Sequence, residues 1–237
     1  MKIPFYPWQT KIIATLAVAA LGFSLWRSPV LGAEAPVVIA PPALDNLKEA
    51  GAGQTAVLAG GCFWGVQGVY EHVRGVQKVL AGYAGGSATN AQYETVSSGI
   101  TGHAESVKIT FNPAEISYGQ ILQIAFSVVH DPTQSNRQGT DVGTQYRSAI
   151  FYTDETQKRI AEAYIAQLGQ SHAFPHMIAT RVDPLKGFYE AENYHQDYLV
   201  HNPDSFYIRI NDQPKIDNFR RLFPAIYRER PVLVRDQ

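Results

Sequence analysis

The spacing of apolar and polar residues predicts alternating strands and helices through the middle of the chain. Apolar or alternating segments predict strands at 55–59, 76–83, 103–111 and 147–153. Helices are predicted from Cys62 to about Val73, after the S-x-x-Q capping box at 117–120, and after Asp154. The order strand, helix, strand, strand, helix, strand is that of a split βαβ unit. We therefore predict an α+β fold, a ferredoxin-like two-layer sandwich, with additional helices near 190–200 and 216–223.

The third predicted strand places an acidic residue among apolar ones. Glu105 shares one face of this strand with Val107, Ile109 and Phe111. A carboxylate on a buried face is costly unless it is paired or protonated, and desolvation raises its pKa. A carboxyl group that stays protonated near pH 7 can donate a proton or a hydrogen bond. The alternative is a structural role, either in a salt bridge to Arg147 or at a strand end that reaches solvent.

The first 35 residues predict an export signal. Two lysines precede an uncharged, largely apolar stretch from Ile12 to Trp26, and Ala33 and Ala35 supply the small residues of a cleavage site. The stretch is short for a membrane-spanning helix, which favours cleavage; an uncleaved anchor is the alternative. We therefore expect an exported, periplasmic protein whose membrane contact, if any, is made through this segment.

The rest of the chain divides into a short connecting segment and one folded domain. Residues 36–53 are rich in proline and alanine and lack a usable period, which predicts a linker or N-terminal arm. Residues 54–237 carry the alternating pattern and are predicted to form a single domain.

Composition narrows the possible functions. The 237 residues include 20 basic and 21 acidic ones, and the net charge of −1 excludes a strongly basic nucleic-acid binder. The hydrophobic share of 45% is enough for a sizeable core and argues against disorder. The sequence contains one cysteine, Cys62, which excludes an intrachain disulfide and any multi-cysteine zinc or iron–sulfur site.

Cys62 is the first candidate for chemistry. A predicted strand runs through Gly60 and Gly61 into Cys62, at the first turn of the following helix. Unpaired N–H groups at a helix N-terminus stabilise a thiolate, so we expect a lowered pKa for this thiol. The glycines leave room for another molecule at the sulfur, and Phe63 and Trp64 could hold an apolar group or pack in the core. A small buried hydrophobe is the non-catalytic alternative.

Further polar candidates come from loops and from the late helix. Asp141 and Tyr146 lie where a long polar loop, 130–144, joins the fourth predicted strand, and both could position polar groups at its end. Tyr93 offers a phenol in a glycine-flanked loop, and His195 on the helix predicted near 190–200 could reach the site. Taken alone, each tyrosine is better explained as a packing residue, and His195 is better explained as a surface histidine.

Together these residues form motifs that resemble a known family. The motifs are GCFWG at 61–65, GYAGG at 82–86, SGITGHAE at 98–105, HDP at 130–132 and DVGTQYRS at 141–148. They resemble those of peptide-methionine (S)-S-oxide reductase, the A-type methionine sulfoxide reductase, in the same order from about residue 54 to about 225. The resemblance implies a mixed α+β fold, a catalytic domain at 54–237 and, as substrate, the S epimer of methionine sulfoxide, free or in oxidised proteins.

The resemblance also implies roles for individual residues. Cys62 would be the nucleophile that attacks the sulfoxide sulfur, and Glu105 would protonate the sulfoxide oxygen. Other positions that match the family are Tyr93 and Tyr146 as helpers at that oxygen, Asp141 as an organising residue, Phe63 and Trp64 as the methyl-binding pair, and His195 as part of the polar wall. No metal or organic cofactor has a part in this step.

One departure from the family concerns how the enzyme is regenerated. Many relatives carry a resolving cysteine that turns the sulfenic acid on the nucleophile into a disulfide, and this chain has none. The sulfenic acid on Cys62 would then be resolved by an external thiol, a thioredoxin-like protein or a small thiol.

Two functions of other classes are compatible with the residues alone. A Cys–His hydrolase would combine Cys62 with one of seven histidines and would not depend on a thiol reductant. A non-catalytic peptide-binding module would use Phe63 and Trp64 as an aromatic anchor, and a serine at position 62 would then leave its function intact.

Overall fold

The computed structural model describes residues 1, 32–46 and 53–234. The strands in this part of the chain are β1 (Gln54–Ala59), β2 (Val76–Ala84), β3 (Ala104–Phe111), β4 (Arg137–Gln138), β5 (Asp141–Val142), β6 (Ala149–Tyr152), β7 (Arg181–Pro184) and β8 (Phe188–Glu190). The α-helices are α1 (Phe63–Glu71), α2 (Tyr93–Val96), α3 (Tyr118–Ile124), α4 (Glu155–Gln170), α5 (Tyr198–His201) and α6 (Gln213–Leu222). The four strands and three helices predicted for this region are present, with ends shifted by a few residues.

Six of these strands form one mixed sheet in the order β7-β6-β1-β3-β2-β8. Strand β3 lies between β1 and β2 and is antiparallel to both, and β6 is antiparallel to β1. The α+β class is therefore confirmed, and β3 is inserted between β1 and β2 as a split βαβ unit requires. Strand β7 adds to one edge in parallel with β6, and β8 adds to the other edge in antiparallel pairing with β2.

Two helix starts follow the capping signals in the sequence. The Ser117 hydroxyl accepts a hydrogen bond from the Gln120 N–H, and the Gln120 side chain accepts one from the Ser117 N–H, which completes the expected capping box. At α4 the Asp154 carboxylate accepts a hydrogen bond from the Gln157 N–H at 2.9 Å. Both caps satisfy N–H groups that the helix itself leaves unpaired.

The prediction of one helix near 190–200 is wrong. The segment contains the end of β8, a 3₁₀ turn at Asn193–His195 and the one-turn helix α5. Asp197 adopts a left-handed conformation with φ of 55°, which interrupts a continuous helix. The Gln196 side chain also binds the N–H and the C=O of Ala81 on β2, so this stretch is tied to the sheet as irregular chain. The 130–144 loop differs too, because it contains the β4–β5 hairpin.

The main core lies on one face of the sheet. It is formed by the apolar sides of α1, α3 and α4 against β1, β2 and β3, with Phe63, Tyr70, Tyr83, Ile109 and Phe126 among its buried members. A smaller cluster on the opposite face contains Val57, Ala59 and Phe151. The N-terminal end of α1 and the first residues of β3 meet beside the larger core, and this junction carries the site described below.

The described part of the N-terminal segment packs along the domain. The Val37 N–H donates to the Ser127 carbonyl at 2.8 Å, and the Tyr164 hydroxyl donates to the Ala40 carbonyl at 2.8 Å. The expected export signal at 1–35 lies almost entirely outside the described residues. Within residues 32–46 and 53–234, no helix has the length and apolar character needed to cross a bilayer.

Candidate active site

Cys62 lies between β1 and α1, as the N-cap residue of the helix, and its residue surface is 8% exposed. The preceding Gly61 has φ of +94°, and a Cβ there would lie 2.9 Å from the Cβ of Gln138. Glycine is therefore required at 61 both for the backbone turn and for the close approach of the β4–β5 hairpin. The sulfur is thus placed by a strand end, a glycine turn and a helix start rather than by a long loop.

Glu105 reaches the same helix start from β3. Its residue surface is 3% exposed, and its Oε2 accepts a hydrogen bond from the Phe63 N–H at 3.1 Å. The salt bridge to Arg147 considered from the sequence is not formed, because that guanidinium donates to the carbonyls of Gly102, His103 and Thr144. Burial raises the pKa of Glu105 to about 8, although the Phe63 N–H opposes the shift. The carboxyl group is therefore mostly protonated at pH 7.

The thiol pKa differs from the sequence expectation. The sequence predicts that the helix N-terminus lowers it, but burial raises the pKa of Cys62 well above its ordinary value, and the carboxyl groups of Glu105 and Asp212 add to the shift. The hydrogen bond from the Trp64 N–H acts in the other direction and lowers this pKa. Desolvation of the sulfur thus outweighs the partial charge of the helix end. The resting site holds a neutral thiol beside a neutral carboxylic acid.

Aromatic side chains form a wall next to the sulfur. The Trp64 indole N–H donates to Nδ1 of His195 at 3.0 Å, and the indole stacks on Tyr198 with ring centroids 3.8 Å apart. Tyr207 meets the indole edge-on at 5.7 Å, and the Phe63 and His195 rings lie 5.1 Å apart. Trp64 is partly buried in this wall, whereas Phe63 is buried behind it against the core and packs on His195.

Two phenols face the Cys62–Glu105 pair. Burial and then the charge of Glu105 raise the pKa of both Tyr93 and Tyr146, and Cys62 contributes to both shifts. The Tyr93 ring lies 4.4 Å from the His195 ring, and the Tyr93 N–H donates to the Glu192 carboxylate. The hydroxyl groups therefore stay protonated and able to donate hydrogen bonds.

Asp141 lies on β5 at the side of the sulfur. Its carboxylate accepts a hydrogen bond from the Tyr207 hydroxyl. Asp141 and Tyr207 line one small cavity with Cys62 and Lys215, and Glu34 from the N-terminal arm lines it as well. The other seven site residues proposed from the sequence therefore lie around Cys62.

Sequence reasoning missed several residues of the site. Tyr198, Tyr207, Asp212 and Lys215 come from the segment after residue 197, which carries no glycine-rich or acidic motif. The one signal available was the spacing of Asp212 and Lys215, three residues apart just before the helix predicted near 216–223. In the structure the helix begins earlier, at Gln213, and this spacing brings the two side chains together. In residues 32–46 and 53–234, no group of three or more His, Cys, Asp or Glu side chains could hold a metal ion.

The sequence matches a family model described as peptide methionine sulfoxide reductase over residues 54–225. The chain belongs to the peptide methionine sulfoxide reductase family. MsrA 2 of Mesorhizobium japonicum is 57% identical over 187 residues, which are 79% of this chain and 96% of that one. MsrA 2 of Synechocystis is 53% identical over 170 residues, which are 72% and 79% of the two chains.

Solved structures with the same fold come from the same reductase family. Mxr1 of Saccharomyces cerevisiae in its reduced form has a TM-score of 0.59 at 32% identity and covers 69% of this chain and 93% of its own. Methionine sulfoxide reductase A of Corynebacterium diphtheriae has a TM-score of 0.56 at 31% identity and covers 74% and 89%. Thiol-dependent reduction of methionine sulfoxide is thus the activity of this reductase, and neither the hydrolase nor the peptide-binding alternative is favoured.

Proposed function

We propose that this chain reduces the S epimer of methionine sulfoxide, in proteins or free, through a sulfenic acid on Cys62 that an external thiol resolves. The observation that carries the proposal is the hydrogen bond from the Phe63 N–H to Glu105, which holds a buried carboxylic acid beside the nucleophile. A sulfoxide oxygen leaves only after protonation, and a carboxyl group with a pKa of about 8 is protonated at neutral pH. The pairing of thiol and acid fits that chemistry.

The first step joins two sulfur atoms. Glu105 donates a proton to the sulfoxide oxygen while the Cys62 sulfur attacks the sulfoxide sulfur, and the thiol proton also passes to that oxygen. The S–O bond breaks, water leaves, and a sulfonium with a new S–S bond remains beside an ionised Glu105. Tyr93 and Tyr146, whose hydroxyl groups stay protonated, donate hydrogen bonds to the oxygen. Asp141 organises this side of the site through Tyr207.

The second step releases methionine. Water attacks the Cys62 sulfur, the S–S bond breaks towards the methionine sulfur, and the proton set free returns to Glu105. In sum one thiol and one sulfoxide become one sulfenic acid and one thioether, so Cys62 is oxidised by two electrons and the substrate is reduced by two. Phe63 and Trp64 would hold the methyl group on the sulfur during both steps, next to His195.

Regeneration requires two thiol groups from outside the chain. A first thiol attacks the sulfenic acid and forms a mixed disulfide with loss of water; a second thiol attacks that disulfide and restores Cys62. The single cysteine of the sequence supports this route, because no second cysteine in the chain can form the disulfide. A thioredoxin-like protein or a small dithiol would supply both groups.

The experiment that tests the proposal is a single turnover with resolved epimers. Without a thiol, we expect one methionine per enzyme from the S epimer, none from the R epimer, and one added oxygen on Cys62 by mass spectrometry. With excess dithiol, turnover becomes continuous. The Cys62→Ser variant is the matched control and should form no methionine. More than one methionine per enzyme without thiol, or equal reduction of both epimers, would contradict the proposal.

We also propose that residues 1–35 direct export, to the periplasm in a bacterium with two membranes. The basic start, the apolar stretch from Ile12 to Trp26 and the small residues at 33 and 35 support this. N-terminal sequencing of the protein from periplasmic and membrane fractions tests it. A mature N-terminus near residue 36 in the periplasmic fraction is expected; an intact Met1 in the membrane fraction supports the anchor, and an intact Met1 in the cytosolic fraction rejects export.

A further inference from the structure

Two buried charges lie near Cys62 and have no part in the steps described above. Asp212 is fully buried and Lys215 is 5% exposed, and the Lys215 Nζ lies 3.4 Å from the Asp212 Oδ1. The pair stands where a π-helical turn, Ile208–Asp212, passes into α6. Because a buried ion pair is often no more stable than apolar residues of the same size, stability alone does not account for it.

Asp212 touches the same helix start as the nucleophile. A Cβ at Gly65, in the first turn of α1, would collide with the Asp212 carboxylate, so this carboxylate lies directly against the turn that follows Cys62. Lys215 lines the small cavity that Cys62 also lines. Both charges are therefore close enough to the sulfur to affect whether it carries a negative charge.

The other charged groups around the sulfur are acidic. The carboxyl groups of Glu105 on β3, Asp141 on β5 and Asp212 all disfavour the Cys62 thiolate. Glu34 on the N-terminal arm lines the cavity, and the phenols that face Cys62 are those of Tyr93, Tyr146 and Tyr207. Among the described residues that line this cavity, Lys215 is the one with a cationic side chain.

The ionisation of the pair itself is consistent with a charge-balancing role. Burial raises the pKa of Asp212 to about 6, although Lys215 opposes that shift. Burial disfavours the ammonium of Lys215, but the charges of Asp212, Glu34 and Cys62 outweigh it and raise its pKa. Cleavage near residue 36 would remove Glu34 and leave the Asp212 contact in place. At pH 7 and above, Asp212 is therefore mostly ionised and Lys215 is protonated.

We propose that Lys215 is a positioning residue that neutralises Asp212, so that the Cys62 sulfur can take up negative charge beside three carboxyl groups. The inference rests on the function proposed above, in which Cys62 is the nucleophile. With Lys215 in place, the pair presents almost no net charge to the sulfur. Without Lys215, the Asp212 charge opposes the thiolate, and without the Asp212 charge the ammonium of Lys215 favours it.

The test is the rate at which iodoacetamide alkylates Cys62 in the full chain at pH 7.5. No sulfoxide or reductant is present, so the result does not depend on whether the proposed reaction is correct. Asp212→Asn should speed alkylation about tenfold, since a nearby uncompensated positive charge lowers a thiol pKa by about one unit or more. Lys215→Met should slow it about tenfold, because the thiol ionises at a pH where Asp212 is already ionised.

A double variant and a conservative variant distinguish an electrostatic effect on the alkylation rate from a loss of structure. Asp212→Asn combined with Lys215→Met should return to the wild-type rate, and Lys215→Arg should keep it. A change that merely opened the structure would speed both single variants, and circular dichroism checks that each variant is folded. Single-variant rates equal to wild type, or shifted in the same direction, would overturn the proposal. If Asp212→Asn does not fold, Lys215→Met against Lys215→Arg decides alone.

Discussion

Glu105 and Phe63 are joined by a hydrogen bond from the Phe63 backbone N–H to the Glu105 carboxyl group, 3.1 Å long and buried from solvent. This bond ties the first residues of β3 to the first turn of α1, one residue after Cys62. The partner is a backbone group, so the position of the acid does not depend on the rotamer of a second side chain. The acid is therefore in place beside the sulfur before any substrate binds.

Replacing Glu105 with glutamine should remove the proton donor while keeping the hydrogen bond. The amide oxygen of the introduced side chain can still accept from the Phe63 N–H, so we expect the fold to persist. The single-turnover rate of sulfoxide reduction should fall about 10²- to 10⁴-fold, the range typical of general acid catalysis. Glu155→Gln, at an exposed position of α4, is the matched control and should leave the rate unchanged. An unchanged rate in Glu105→Gln would remove this residue from the acid role.

The pH dependence of the same step should report the carboxyl group. Burial raises the pKa of Glu105 from 4.5 to about 8, so the acid form dominates below pH 8 and disappears above it. The single-turnover rate should be nearly constant between pH 6 and pH 7 and should fall as the pH rises through about 8. In the glutamine variant this fall should be missing. A rate that instead increases through pH 8 in the wild-type chain would mean that ionisation of a group, and not its protonated form, limits the reaction.

Replacing Trp64 with phenylalanine should weaken substrate binding more than it slows the chemistry. The change keeps an aromatic ring but removes the indole N–H that donates to His195. It also reduces the ring area that stacks on Tyr198. We expect a several-fold higher KM for methionine sulfoxide, with little change in the single-turnover rate at saturation. His201→Asn, on the exposed side of α5, serves as the comparison. Equal KM values for Trp64→Phe and wild type would exclude Trp64 from the binding wall.

The sequence was sufficient to predict what is set by neighbouring residues along the chain. The alternation at 103–111, the Ser117 capping box and the Asp154 cap are local, and all are present in the structure. The apolar residues on the same face of β3 indicated that Glu105 is buried, and the structure confirms this over the solvent-exposed strand end left open by the sequence. The helix expected near 190–200 failed because Gln196 binds the backbone of β2, a contact between residues more than 100 positions apart.

The lowered pKa predicted for the Cys62 thiol was also wrong, and for a related reason. A local pattern shows that Cys62 begins a helix, but the carboxyl groups of Glu105, Asp141 and Asp212 come from three other segments. Their combined effect, added to burial, reverses the shift that the helix end alone would cause. The pKa of a side chain therefore depends on distant segments that one sequence does not bring together.

Gly65 provides a stability test of how tightly Asp212 lies against α1. Glycine inside a helix normally costs about 1 kcal/mol relative to alanine, so helix propensity alone favours Gly65→Ala. Its Cβ would collide with the buried Asp212 carboxylate, and we expect a net loss of about 1–3 kcal/mol in the free energy of unfolding.

Gly169 in α4 is the matched control, because a Cβ there meets nothing within 4 Å. Gly169→Ala should stabilise the chain by about 0.5–1 kcal/mol. Urea unfolding of both variants measures the two changes in the free energy of unfolding. We expect opposite signs, because Asp212 fills the space beside Gly65 whereas the space beside Gly169 is open. A stabilising Gly65→Ala would show that Asp212 can move aside.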